Sequence, residues 1–507
     1  MAGDFQLRTV TETSTQVATS MELSRQRDIR KSLSSNPAWL LALVGVVIAI
    51  GTLSDRTPGT SLILVLIGWN ALILFYAIQR GSKLSKKLGY LNPATILFGF
   101  LAVSYVARPI YNLATDKVGT PTIGYVQVSQ IGYLSGYFIM SMAVTLFTIG
   151  FFFVPVQWWL REDRRFARTR LHANSKFRLL LVGAVSGAAF TLVARQLLRY
   201  SHGLFAALTI RQVTQAGLSS LIYISIAYKV AFLIYYATYL DSGRKMRPLT
   251  FLIWWSPSFA IDLFLGDRAQ ILVGNILIFG CLAIVARHPE RTMNARRMRR
   301  IIVLVMVSLF LFVGYRVVVR GGDVSNREGV VQAFETLPNF VFGSGEVSGL
   351  DYFLSERNLV PSVFAYRSPG QSFEAVALAS VPSEFVNKPL RSAQLLTEEM
   401  YPNQYKNGSN ITFTGAGDLY DTFGDIGVVF GYLFIGLLSG WLVRGPLTML
   451  FSFQRVAFAF YLGWLVFPIL RTDLSPIGTL PISLIVLGLD YFVMTSRSRL
   501  HIERLTE

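Results

Sequence analysis

The chain has 507 residues, of which 52% are hydrophobic and only 15% charged, against roughly 25% charged in ordinary soluble domains. The formal net charge is +18, but the lysines and arginines cluster in short stretches between apolar runs, which disfavours a nucleic-acid surface and favours a membrane one. Cys281 is the only cysteine and lies within an apolar run, so a disulfide framework and a thiolate metal cluster are both excluded and the residue reads as a small packing group.

Residues 1–37 are polar and carry Arg25, Arg27, Arg30 and Lys31. They lack the early apolar core of a cleavable signal and read as a cytoplasmic N-terminal tail, with Pro37 opening the first span. From there apolar runs near or above the roughly 18-residue spanning threshold recur. The predicted spans are 38–54, 59–79, 91–112, 130–154, 178–198, 219–240, 249–265, 269–286, 300–319, 425–443, 450–470 and 475–495. The expected fold is therefore all-α: a polytopic transmembrane helix bundle of about 12 spans. Nine spans lie in 38–319 and three in 425–495, followed by a cytoplasmic tail over 496–507. Between the two sets, 320–424 is one large external loop. Its scattered Phe, Leu and Val, punctuated by Pro338, Pro361, Pro369, Pro382 and Pro389, predict short helices folded over the mouth of the bundle. Its aromatic content argues against a disordered linker.

The loop charges orient the bundle. Loops placed inside carry Arg80, Lys83, Lys86 and Lys87, then a basic run from Arg161 to Lys176, then Arg244, Lys245 and Arg247, then another from Arg287 to Arg300. The intervening short loops are poorer, with Arg56 and Lys117. This alternation follows the positive-inside rule and puts both termini in the cytoplasm.

Arginines that topology leaves unexplained include Arg108, Arg195, Arg268, Arg357, Arg367, Arg391 and Arg471. Singly, each has an ordinary reading: snorkelling to headgroups or pairing with a carboxylate. As a set they suit an outward-facing cavity for an anionic ligand, because guanidinium groups bind phosphate bidentately and stay charged when desolvated. A lipid-linked diphosphate is such a ligand. Lys229 sits near the middle of its span, where an ionisable group usually faces a polar cavity.

The segment 415–427 is the most distinctive, with Asp418, Asp421 and Asp425 just ahead of an apolar span. Capping and the helix dipole account for Asp425. Asp418 and Asp421 are the candidate catalytic pair, acting on a sugar hydroxyl as general base or hydrogen-bond acceptor. The chain has no Walker loop, HExxH or paired-Cys pattern, so no metal and no cofactor is expected.

Layout and three patches resemble the bacterial O-antigen or oligosaccharide repeat-unit polymerases (Wzy-type). The patches are Gly266-Asp267-Arg268-Ala269, the stretch Val381 to Pro389 with its Pro382 and Lys388-Pro389, and the glycine-spaced segment Gly417 through Gly431. An Arg-x10-Gly spacing found in two external loops of some members occurs here once, from Arg108 to Gly119, and not in the long loop. The resemblance implies a metal-independent glycosyltransferase of the bacterial plasma (inner) membrane, moving a growing glycan from undecaprenyl diphosphate to the next lipid-linked repeat unit. Membrane lipids surround it, a chain-length regulator protein is its expected partner, and no nucleic acid is involved. By the same resemblance Arg268, Arg367, Arg391 and Arg471 hold diphosphate and Lys388 lies in the covering loop, with Tyr420 among the substrate-binding residues. Two rival functions share the layout: an O-antigen ligase-type glycosyltransferase and a non-enzymatic flippase or exporter of lipid-linked sugars. A deletion separates the first pair, leaving single repeats on the acceptor for a polymerase and none for a ligase. A transporter is expected to show internal repeats and broken helices, and Lys229 is the residue that suits it best.

Overall fold

The computed structural model describes residues 60–84, 92–115, 128–154, 175–201, 219–241, 246–264, 273–285, 349–378, 381, 386–387, 389–400, 402, 414–444, 452–471 and 474–495. Among the described residues every regular element is a helix. In chain order these are α1 (Thr60–Ser82), α2 (Pro93–Ala102), α3 (Arg108–Ala114), α4 (Gln130–Phe153), α5 (Ser175–Ser201), α6 (Ser219–Asp241), α7 (Pro248–Phe264) and α8 (Asn275–Val285). There follow α9 (Gly349–Leu359), α10 (Pro369–Ala377), α11 (Ser392–Met400), α12 (Gly415–Arg444), α13 (Ser452–Tyr461), α14 (Phe467–Arg471), α15 (Ser475–Gly478) and α16 (Leu480–Thr495). Helices lie on every expected span except the first and ninth, 38–54 and 300–319, which fall outside the described residues.

Among the described residues four helical stretches are long and apolar enough to cross a membrane: Thr60–Ser82, Pro93–Ala114, Gln130–Phe153 and Gly415–Arg444. Their exposed faces are apolar at helical spacing, with Leu64, Leu72 and Phe75 on α1 and Ile426, Phe430 and Phe434 on α12. Such stripes are a liability in water and ordinary against lipid tails. The molecule is an all-helical protein built on apolar helices suited to a membrane bundle.

Local chemistry sets the element ends. Asn92 caps α2 by accepting from the Thr95 N–H at 3.0 Å, with Pro93 at the first helical position. The Asn92 side chain also donates to the Gly81 carbonyl at 2.7 Å, which fixes the turn between α1 and α2. Between α2 and α3 the rod passes through a π-turn over Val103–Ala107. Pro109 has no N–H to give the Tyr105 carbonyl, and that carbonyl instead accepts from the Tyr137 hydroxyl of α4 at 2.7 Å. A second π-turn, Leu462–Val466, likewise precedes Pro468 between α13 and α14.

Two expected boundaries shift. The span expected at 425–443 is preceded by a further helical stretch from Gly415, the two meeting at Gly424 with φ 66° and ψ −160°. Glycine alone adopts that backbone readily, so the chain turns there without ending the helix pair. The run expected at 475–495 is interrupted at Thr479, between α15 and α16.

The central contact is α12 along α4. The two run parallel: a Cβ on Gly436 would stand 2.2 Å from the Phe147 carbonyl oxygen, and one on Gly440 2.2 Å from that of Phe151. This Gly-x-x-x-Gly face lets the backbones meet, as small residues do between membrane helices where apolar burial gives little drive. Hydrogen bonds hold α1 to α4 and the π-turn to α12. Trp69 donates to Thr145 at 3.1 Å, Asn70 donates to Tyr137 at 3.1 Å and Ser141 at 3.0 Å, and the Tyr105 and Tyr432 hydroxyls pair at 3.1 Å. At the far end Arg444 closes α4, donating to the Phe152 carbonyl at 3.1 Å and the Val154 carbonyl at 3.2 Å. Gly436→Val or Gly440→Val is expected to separate the helices and strip the folded protein from detergent extracts. Gly99→Ala, whose added methyl meets nothing within 4 Å, keeps the wild-type melting profile; fluorescence-detected gel filtration after a heat step reads both.

Candidate functional site

The carboxylates gather at the end of the bundle opposite Arg444. There α4 and α12 begin, α3 starts at Arg108, and α9 packs against α4 and α12. Asp421 and Asp418 lie in the stretch of α12 before the Gly424 break. Asp421 accepts from the Ser392 hydroxyl at 2.7 Å. Ser392 in turn accepts from Arg367 Nη1 at 3.1 Å, while Arg367 Nη2 donates to the Leu390 carbonyl at 2.8 Å. The Arg367 backbone N–H closes the loop by donating to the Asp421 carbonyl at 3.0 Å. Arg367 and Asp421 are thus brought together, from positions 54 residues apart, through Ser392 at the start of α11. Ser368 then caps α10, accepting from the Gln371 N–H, with Pro369 at the first helical position.

Asp418 turns the other way and accepts from the Leu474 N–H at 2.8 Å. That bond joins the beginning of α12 to the segment between α14 and α15, three residues beyond the buried Arg471. Tyr420 donates to the Val360 carbonyl at 3.0 Å, and the Tyr366 hydroxyl donates to Tyr420 at 3.4 Å. Arg391 is half-buried beside Ser392, its N–H donating to the Gln394 side chain at 3.0 Å. Arg268 and Lys388 lie outside the described residues, as does the Gly266–Arg268 turn.

Three acids here have settings the sequence did not give: Asp351 and Glu356 went unread, and Asp425 was read as a cap. Arg108 and Asp351 form a buried pair, Arg108 Nε donating to Asp351 Oδ2 at 2.8 Å and Nη2 donating to the same oxygen. Asn112 supplies Asp351 Oδ1 at 2.8 Å. Arg357 and Asp425 make a two-pronged pair, both contacts 3.0 Å, on a partly exposed surface. Asp425 therefore holds an arginine of α9, where the sequence alone suggested a cap. These two arginines have the ordinary role of pairing with a carboxylate.

The third is Glu356, 1% exposed, with neither carboxyl oxygen hydrogen-bonded among the described residues. Burial holds its carboxyl well above the usual carboxylate range, and the charges of Asp421 and Asp418 push the same way. α9 interleaves acids with Leu350, Phe353 and Leu354 in each turn, so no polar face marks it in the sequence. That mixing was the available signal.

Elsewhere Lys229 is fully buried with its Nζ 4.8 Å from the centre of the Trp464 ring, a cation–π seat rather than a lining position on a pathway. No group of metal-binding side chains occurs among the described residues. Comparison with protein-family models, curated proteins and solved structures finds no match to this chain.

Asp351→Asn is expected to leave the Arg108 charge buried and cost about 3–5 kcal/mol. The double change Arg108→Met, Asp351→Leu costs less than either single change. Arg357→Ala, losing a partly exposed pair, costs about 1 kcal/mol or less. Melting of the purified proteins in one detergent orders these variants against wild type.

Proposed function

We propose that the chain is a membrane-embedded, metal-independent glycosyltransferase that polymerises lipid-linked repeat units. The growing glycan leaves undecaprenyl diphosphate and joins the next unit at the outer face of the bacterial inner membrane. The observation that carries the reading is the Arg367–Ser392–Asp421 assembly, with Asp418 and Glu356 beside it. A cation from the stretch before α10 and carboxylates from α9 and α12 gather at one end of apolar helices, the end a lipid headgroup occupies.

The chemistry such a site supports is simple. The acceptor sugar oxygen bonds to the anomeric carbon as the bond from that carbon to the diphosphate oxygen breaks. The hydroxyl proton passes to Asp421 or Asp418. Positive charge from Arg367, Arg391, Arg471 and Arg268 stabilises the departing diphosphate, and Tyr420 helps seat the sugar. The opposite end, with Arg80 and Arg444, suits the cytoplasmic side under the positive-inside rule. This fits the twelve-span layout with both termini inside and 320–424 outside.

A ligase and an exporter remain the rival readings. The Lys229 Nζ lies 4.8 Å from the centre of the Trp464 ring, a contact that supports a packing role for that residue over a transport one.

In cells making a repeat-unit polysaccharide, Arg268→Ala, Arg367→Ala and Asp421→Asn are each expected to cut polymer yield by about 100-fold or more. Single repeats then accumulate on the acceptor while the protein stays at wild-type level in the membrane. Gel profiles of the glycan read the outcome. Wild-type chain lengths in Arg367→Ala reject the site, and loss of single repeats in a deletion strain favours the ligase.

A further inference from the structure

Among the described residues at this end, Glu356 is a buried acid with no hydrogen-bond partner on either oxygen, and the transfer reaction does not use it. Its immediate surroundings hold the wrong charges for an ionised carboxylate. On its own helix Asp351 is engaged by Arg108 and Asn112, and Arg357 by Asp425. From α4 comes Tyr133, whose hydroxyl lies 3.5 Å from the Asn112 amide, and from the π-turn Tyr105, paired with Tyr432. From α12 come Asp418 and Asp421, each accepting from a donor as an ionised carboxylate does. Arg367 spends its guanidinium on Ser392 and the Leu390 carbonyl, and Arg471, buried at the end of α14, has contacts of its own.

We infer that Glu356 is a proton-binding site: one proton held on its buried carboxyl, near the carboxylates of Asp418 and Asp421, keeps α9 packed against the first turns of α12. The geometry is an acid sealed from solvent, without a donor on either oxygen among the described residues, near two carboxylates of α12. A third negative charge there has no hydrogen-bonded cation among the described residues, and an unpaired buried charge is among the costliest features a fold can carry. Loosening α9 lets water reach the carboxylate. The direction with pH follows. A carboxyl that titrates higher when packed binds its proton more tightly in that state. Packing is then favoured fully below the ordinary carboxyl range and weakens as pH climbs through the raised value. The site stands independently of the transfer reaction and would gate access to Asp421 whatever that residue acts on.

The test is hydrogen–deuterium exchange of the full chain in lipid nanodiscs from about pH 6 to about pH 9, corrected for intrinsic rates. In wild type, exchange across α9 and residues 415–423 is expected to rise about 10-fold per pH unit while pH lies below the raised Glu356 value, and to level off above it. Glu356→Gln, which mimics the protonated form, stays protected and flat over the range. Asp421→Asn removes one repelling charge and moves the wild-type transition to lower pH. A flat wild-type profile overturns the inference, as does a Glu356→Gln profile that follows wild type or is loose at every pH. Should Glu356→Gln fail to insert, an unmoved transition in Asp421→Asn overturns it alone.

Discussion

The arrangement of this end of the molecule depends on how closely α12 approaches α4. With glycine at 436 and 440 the backbones touch at the carbonyls of Phe147 and Phe151. Nothing in a lipid interior drives helices together by apolar burial, so close packing and a few interior hydrogen bonds must supply the contact. Once the rods are locked, α12 can begin only where α4 begins. That fixes the height of Asp418 and Asp421 relative to α9, which leans on both rods.

The second constraint is that charge near the membrane needs a partner. Arg108 meets Asp351 with Asn112 completing the carboxylate, Arg444 meets the carbonyls ending α4, and Lys229 meets an indole. Each cation is fixed in place by what satisfies it. Arg367 differs in what it satisfies: a hydroxyl and a backbone carbonyl, with Asp421 reached through that hydroxyl. A neutral partner can be exchanged for an anionic ligand at lower cost than a carboxylate can. Of these arginines Arg367 is therefore the one more easily released to an anion, and Arg108 the less easily.

Helix class and most helix positions were legible because an apolar run longer than a bilayer is thick has few other solutions. That the carboxylates of 415–427 need partners was legible for a similar reason: three of them against an apolar span are costly unless satisfied, and each accepts a hydrogen bond. Partner choice was not. Arg108 finds Asp351 across 243 residues, and no local spacing encodes that. Asp425 has the sequence position of a cap and the structural role of an anchor for Arg357, a contest between two favourable fates of one carboxylate that only tertiary packing decides. Glu356 escaped notice because α9 mixes acids into its apolar face, where periodicity reads as noise.

The Gly424 break gives this division of labour a physical origin. A straight helix through 415–444 would set its acidic turns on the axis of its apolar stripe, pointing Asp418 and Asp421 along the lipid-facing rod. A positive φ at one glycine swings the first turns aside, and the two halves then meet different surroundings. Beyond the break, Ile426, Phe430 and Phe434 stay exposed to lipid. Before it, Asp418 reaches the Leu474 N–H and Asp421 reaches Ser392, each bond tying α12 to a segment from elsewhere in the chain. A residue with a Cβ at 424 would have to adopt a backbone that L side chains rarely take, straightening the pair or straining it. Either outcome pulls both aspartates off their donors together. The single glycine therefore couples membrane anchoring to the geometry of the polar end more directly than any one charged residue does.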